Sequence, residues 1–229
     1  REAVLKMFQD RALWQTPIVS RFIVSLLGRR YAAERGEMNL ETCARLLGLA
    51  PTARDVDELV KGMEEGLQGD PVKTVPAPLQ KRVAEIWSSR EATPTLISFA
   101  LRLGHVPAMQ AALRKIADPQ VPEAERRALV QLLGERREPA AVPVMLERLR
   151  VDTSPVWRLE LVNSLQRFDQ PEIVQALLEL AHNANTELKA AAQTALSSRV
   201  LWARQLLEAV ESGRLKKEQL AMANVLAIH

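Results

Sequence analysis

The sequence predicts an all-α fold, an α-solenoid built of antiparallel helix pairs. Three observations predict it. Pro107, Pro139 and Pro171 recur at a constant interval of 32 residues, and each opens a segment whose apolar residues return with helical spacing, the mark of a helical repeat array. The second and third segments also match position by position, because Val142, Met145, Leu146 and Glu147 fall on Val174, Leu177, Leu178 and Glu179. Finally, no segment alternates apolar and polar residues for long enough to read as a strand.

Helix starts are written in the residues that precede the prolines. Thr16-Pro17, Thr93-Pro94 and Ser154-Pro155 each place a hydroxyl that can accept from an orphan backbone N–H before a ring that tolerates the first helical position. Thr52-Ala53-Arg54-Asp55 and Asn39-Leu40-Glu41-Thr42 are weaker versions of the same signal. From these marks roughly fourteen helices are expected. The clearest pairs are 94–103 with 107–117, 123–135 with 139–150, 155–167 with 171–182, and 186–198 with 200–211. A single hairpin cannot bury enough apolar surface to offset the chain entropy it loses, so the pairs must stack. The period loosens after Pro107, and the last pair closes early.

One domain, 1–229, is expected. Residues 1–69 form a less regular helical group, 70–78 a proline-rich loop, and 79–229 the regular array. Pro71, Pro76 and Pro78 exclude helix between Asp70 and Pro78, because each ring removes a donor and restrains the residue before it.

Composition bounds the function. The chain has 229 residues, 47% of them hydrophobic and 4% aromatic, and its 31 Lys and Arg against 28 Asp and Glu leave a net charge of +3. Interleaved charge of this kind argues for a solvated surface rather than a nucleic-acid footprint. The doublets Arg29-Arg30, Arg126-Arg127, Arg136-Arg137 and Lys216-Lys217 read as solvated helix faces. The single cysteine, Cys43, excludes an intrachain disulfide and a thiolate-rich metal site, and it is expected in the core. The apolar run from Pro17 to Gly28 carries Ser20, Arg21 and Ser25 and is too short to cross a membrane. The chain opens on Arg1, without an initiator methionine or signal peptide, and is expected to be a segment of a longer protein.

Catalytic motifs are missing. There is no glycine-rich phosphate loop, nucleophile elbow, paired-His zinc helix or Cys-x-x-Cys. His105, His182 and His229 are far apart and suit turns or helix C-termini. Trp14, Trp87, Trp157 and Trp202 are spread along the chain and read as packing rather than as a stacking platform. No enzyme activity, cofactor, metal or small-molecule substrate is expected. In two-helix repeats the second helix of each pair lines the concave, partner-binding side, which nominates Arg114, Glu147, Arg148, Arg150 and Glu179 as solvent-facing contacts for a protein partner.

Two resemblances refine this. Asp152-Thr153-Ser154-Pro155-Val156-Trp157-Arg158 followed by Leu161, Val162 and Leu165 resembles the HEAT-repeat pattern, which implies that Asp152 and Arg158 bridge the turns of neighbouring repeats. Glu187-Leu188-Lys189 departs from the Val-x-Arg entry, and 123–128 is looser still. Across the whole chain, Arg30-Tyr31-Ala32-Ala33-Glu34-Arg35, Cys43-Ala44-Arg45-Leu46-Leu47, Gly62-Met63-Glu64-Glu65-Gly66-Leu67-Gln68-Gly69, Leu101-Arg102-Leu103-Gly104, Ser198-Arg199-Val200-Leu201-Trp202-Ala203 and Leu206-Leu207-Glu208-Ala209-Val210-Glu211-Ser212-Gly213 are similar to landmarks of the helical middle region of large planctomycete and verrucomicrobial proteins described as membrane-bound dehydrogenases or haem-binding-domain proteins. That resemblance implies a scaffold between a dehydrogenase-like propeller and a c-type cytochrome domain, in an exported or cell-envelope protein. The alternative is a nucleic-acid-binding module of the alkylation-repair glycosylase type, suggested by a pI near 9.2.

Overall fold

The computed structural model describes residues 1–69 and 72–216; Asp70, Pro71, Lys217 and His229 lie outside them. Among the described residues the fold is all-α, with fourteen α-helices, and no strand is present. The chain divides into two compact units, Arg1–Ala112 and Leu113–His229.

In the first unit, α1 (Glu2–Met7), α2 (Arg11–Gln15) and a π-helical turn (Val19–Ile23) lead into α3 (Val24–Glu34), α4 (Glu37–Leu49), α5 (Ala53–Gly66), α6 (Ala77–Ser89), α7 (Pro94–Arg102) and α8 (Val106–Ala117), the helix that contains the boundary. The helices alternate between two layers, with α3, α5 and α7 side by side in one and α4 against α6 in the other. The α3–α5 contact is the closest in the unit because three glycines meet there. A Cβ on Gly62 would stand 1.9 Å from the Ser25 carbonyl oxygen, and one on Gly66 would stand 2.4 Å from that of Arg29. Cys43 and Trp14 are both buried, and the Trp14 indole N–H donates to the Phe8 carbonyl at 2.8 Å.

Of the start signals in this unit, two hold and two do not. Thr93 and Thr52 accept from the N–H groups of Leu96 and Asp55, as their positions predict. At Thr16, however, the hydroxyl turns back to the Ala12 carbonyl, and it is the backbone carbonyl of Thr16 that accepts from Val19 and Ser20. Asn39 opens no helix. It lies inside α4, buried, where its amide donates to Glu34 at 2.7 Å and its oxygen accepts from Arg1 at 2.9 Å. The proline-rich loop ends sooner than expected, since Ala77 and Pro78 are the first positions of α6, where proline needs no N–H partner.

The second unit continues with α9 (Glu123–Glu135), α10 (Ala141–Val151), α11 (Pro155–Leu165), α12 (Pro171–Asn183), α13 (Thr186–Ser197) and α14 (Val200–Glu211). Here α9, α11 and α13 form one layer and α10, α12 and α14 the other; across the layers α10 packs on α9 and α11, and α13 on α12 and α14, whereas α11 and α12, expected as a hairpin, make little contact with each other. The periodic prolines do not mark one fixed position. Pro171 is the first residue of α12, Pro107 the second of α8, and Pro139 stands two residues before α10. Before α10 the chain turns through Arg137 with φ +50°, and this left-handed residue adds a short turn ahead of the helix.

Arg126 is not on a solvated face. It is 7% exposed, lies 4.8 Å over the Trp157 ring, and stands 3.6 Å from Asp152 Oδ2. The same carboxylate accepts from the Trp157 indole at 2.7 Å and lies 3.9 Å from Arg148. Asp152 therefore ties α9, α10 and α11 together. Arg199 repeats the device one turn later, over Trp202 at 4.5 Å and donating to the Phe168 carbonyl at 2.9 Å, with Asp169 beside it.

Candidate partner-binding face

The layer of α10, α12 and α14 contains the candidate site, and the period explains how it is built. Val142 and Val174 are buried at equivalent places, as are Met145 and Leu177, whereas Glu147 and Glu179 both face solvent. One helical face anchors each helix, and the opposite face is left charged.

The nominated residues separate into groups. Glu147, Arg150 and Glu179 are exposed on α10 and α12. Arg114 is exposed in the last turn of α8, next to Lys115, which pairs with Glu125 at 2.9 Å. Arg148 differs from its expectation: its side chain is only 16% exposed and belongs to the Asp152 cluster. The cause is helical geometry, because position 148 is four residues before Asp152 and so stands above it on the same face.

Two grooves of about 250 Å³ each flank Glu179. The first runs between α10, α11 and α12, with Leu149, Ala176 and Leu180 in its lining and Arg150, Arg158, Glu179 and Asn183 as its polar groups. Arg158, for which the resemblance implies a role in bridging the turns of neighbouring repeats, donates through Nε to the Leu149 carbonyl at 3.1 Å. The second groove is bounded by Gln175, Leu178, His182 and Arg214. A larger cleft of 430 Å³ in the first unit includes Arg45 and Arg82 in its lining, but Glu2 and Glu85 already pair with them.

Groups suited to chemistry are placed elsewhere. Cys43 is buried in α4, and that burial pushes its thiol up to about 12. His105 lies in the turn that closes α7 and leads into α8, its N–H donating to the Ala100 carbonyl at 3.0 Å; its ring lies 5.2 Å from Trp87, and burial holds its pKa below the usual histidine value. His182 is exposed in the last turn of α12, and His229 lies outside the described residues. Among the described residues no three His, Cys, Asp or Glu side chains gather as metal ligands, and no helix is long and apolar enough to cross a membrane.

Alternating helix layers and a period carried into the buried positions define the class as an all-α solenoid. Residues 106–197 match the model of the HEAT repeats family, so the chain contains a HEAT-repeat helical region. No curated protein and no solved structure matches the chain.

Sequence reasoning missed Arg126 and the place of Arg158 in the groove. The signal for Arg126 was Trp157, an aromatic partner one repeat further on. Nothing in Glu-Arg-Arg itself distinguishes a buried arginine from an exposed one.

Proposed function

We propose that this chain is a non-enzymatic scaffold whose α10–α12–α14 layer binds a protein partner through Glu147, Arg150 and Glu179, with Arg114 extending the contact and Arg148, Asp152 and Arg158 holding the turns that position it. The observation that carries the reading is the periodic face itself. Equivalent charged positions on successive helices stay exposed while their neighbours anchor the core, and HEAT-type arrays use such repeated faces to hold macromolecules.

Mixed charge favours protein over nucleic acid. Glu147, Glu172, Glu179, Glu208 and Glu211 are all exposed on this layer, where a phosphate backbone would require a continuous cationic strip. In the finer reading the module stands between a dehydrogenase-like domain and a cytochrome domain of one exported parent protein. Its support is the six short landmarks, and a Cys-x-x-Cys-His motif downstream in the parent gene is the finding it requires.

Photo-cross-linking tests the scaffold reading. Benzoylphenylalanine at 147 or 179 should trap one defined partner, while the same probe at 163 or 194, on α11 and α13, should trap none. Equal adducts from both layers, or efficient trapping of duplex DNA alone, would refute it.

A further inference from the structure

We propose that the groove between α10, α11 and α12 receives a carboxylate side chain from an acidic segment of the partner, with Arg158 and Arg150 as its receptor. This inference rests on the reading above that the layer binds protein. Arg158 is the positioned group. Its Nε–H bonds the Leu149 carbonyl at 3.1 Å, and that carbonyl belongs to the last turn of α10, where carbonyls lack helical partners. One bond thus satisfies the helix end and fixes the guanidinium at the groove wall. The two Nη groups make no hydrogen bond or ion pair within the described residues, so an end-on fork remains for the two oxygens of a carboxylate. Arg150, exposed and likewise unpaired, supplies a second cation at the same groove.

The rest of the lining selects the ligand. Leu149, Ala176, Leu180 and Ala184 give an apolar floor that suits the methylene stem of Glu and one apolar neighbour. At about 250 Å³ the space falls below the usual ~300–1,000 Å³ of small-molecule sites, which fits a side chain rather than a free metabolite. Glu179 stands in the same lining. A polyanion with a charge on every unit would meet that carboxylate, whereas a peptide can follow its acidic residue with a neutral or basic one.

The test follows the arginine Nε–Hε signals of the whole protein by NMR during titration with the acetylated, amidated peptide Ala-Leu-Glu-Ala-Leu-Lys-Ala. The Glu peptide should bind about tenfold more tightly than its Gln counterpart, the ratio that one charge-assisted bond gives, and shift the Arg158 signal. R158Q should abolish the preference and R158K, which keeps the charge but loses the fork, should retain part of it. R150Q, at an exposed position with no packing role, should weaken the Glu peptide alone and provides a test independent of folding. Indistinguishable Glu and Gln peptides, or a larger Arg158 shift from duplex DNA than from the peptide, would overturn the inference. If the cross-linked partner still binds R158Q and R150Q with unchanged affinity, the carboxylate site fails while the scaffold reading stands. If no partner cross-links to the layer, the scaffold reading fails first.

Discussion

Replacing Gly62 by alanine should destabilise the first unit, although alanine is the better helix former. The added Cβ would stand 1.9 Å from the Ser25 carbonyl oxygen and 2.6 Å from its carbon, and both are main-chain atoms that no rotamer change can move. Relief requires α3 and α5 to separate by about an ångström, a gap that forfeits roughly a quarter to a half of the dispersion energy of the atoms that line it. Val24, Tyr31 and Ala32 on α3 and Leu59, Val60 and Met63 on α5 are the buried apolar side chains of these two helices. Overpacking costs ~1–3 kcal/mol, here at the upper end, and helix propensity returns up to ~1 kcal/mol. The net loss is therefore about 2 kcal/mol, or about 10 °C in Tm for a unit of this size. Gly48→Ala is the matched control. Gly48 is exposed on α4, and its Cβ would meet only the far end of Arg82, at 2.8 Å, so this variant should gain up to ~1 kcal/mol. Thermal melts followed by circular dichroism, with hydrogen exchange of peptides from α3 and α5, read both effects. A Gly62→Ala protein as stable as the wild type would refute the close approach.

Three further outcomes follow from the packing and titration of named groups. Asp152→Ala should cost about 3 kcal/mol, the order for removing one partner of a buried pair, since it strands Arg126 and the Trp157 indole together. Asp152→Asn should cost less because it keeps an acceptor for the indole, and urea unfolding followed by tryptophan fluorescence compares the two. Cys43 should resist dithionitrobenzoate at pH 8 except through unfolding. Because burial raises its folded pKa to about 12, stability should be full below the unfolded thiol value of ~8.5 and fall as pH rises from there towards 12. His105 has the opposite sign: its lowered pKa favours the neutral ring in the folded state, so its contribution is full above ~6.5 and is lost as pH falls through the folded value. NMR titration of the ring should give a midpoint below 6.5, and a midpoint at or above it would contradict the burial beside Trp87.

The second unit was the more legible half of the fold. Helices expected at 123–135, 155–167 and 171–182 appear as Glu123–Glu135, Pro155–Leu165 and Pro171–Asn183, because periodic leucines and a proline at the start agree in all three, and Ser154 adds a hydroxyl cap to the second. Agreement fails where one signal acts alone. Thr16 has the cap-and-proline signature, but the α2 carbonyl just behind it competes for its hydroxyl. Gly62 and Gly66 could be quoted as a landmark without revealing that two backbones touch there, since close approach is a property of the partner helix. The candidate face divides in the same way. Exposure of Glu147 and Glu179 follows from position in the period, whereas the inward turn of Arg148 and the seat of Arg158 depend on Asp152 and the Leu149 carbonyl. Those are tertiary neighbours, and local pattern carries no record of them.

The most direct measurement of the central claim is hydrogen exchange of the whole protein with and without the partner trapped from position 147 or 179. The account predicts protection centred on peptides of α10, α12 and α14 and reaching the last turn of α8, with exchange in α9 and α13 unchanged. Protection centred on α9, α11 and α13 would contradict it.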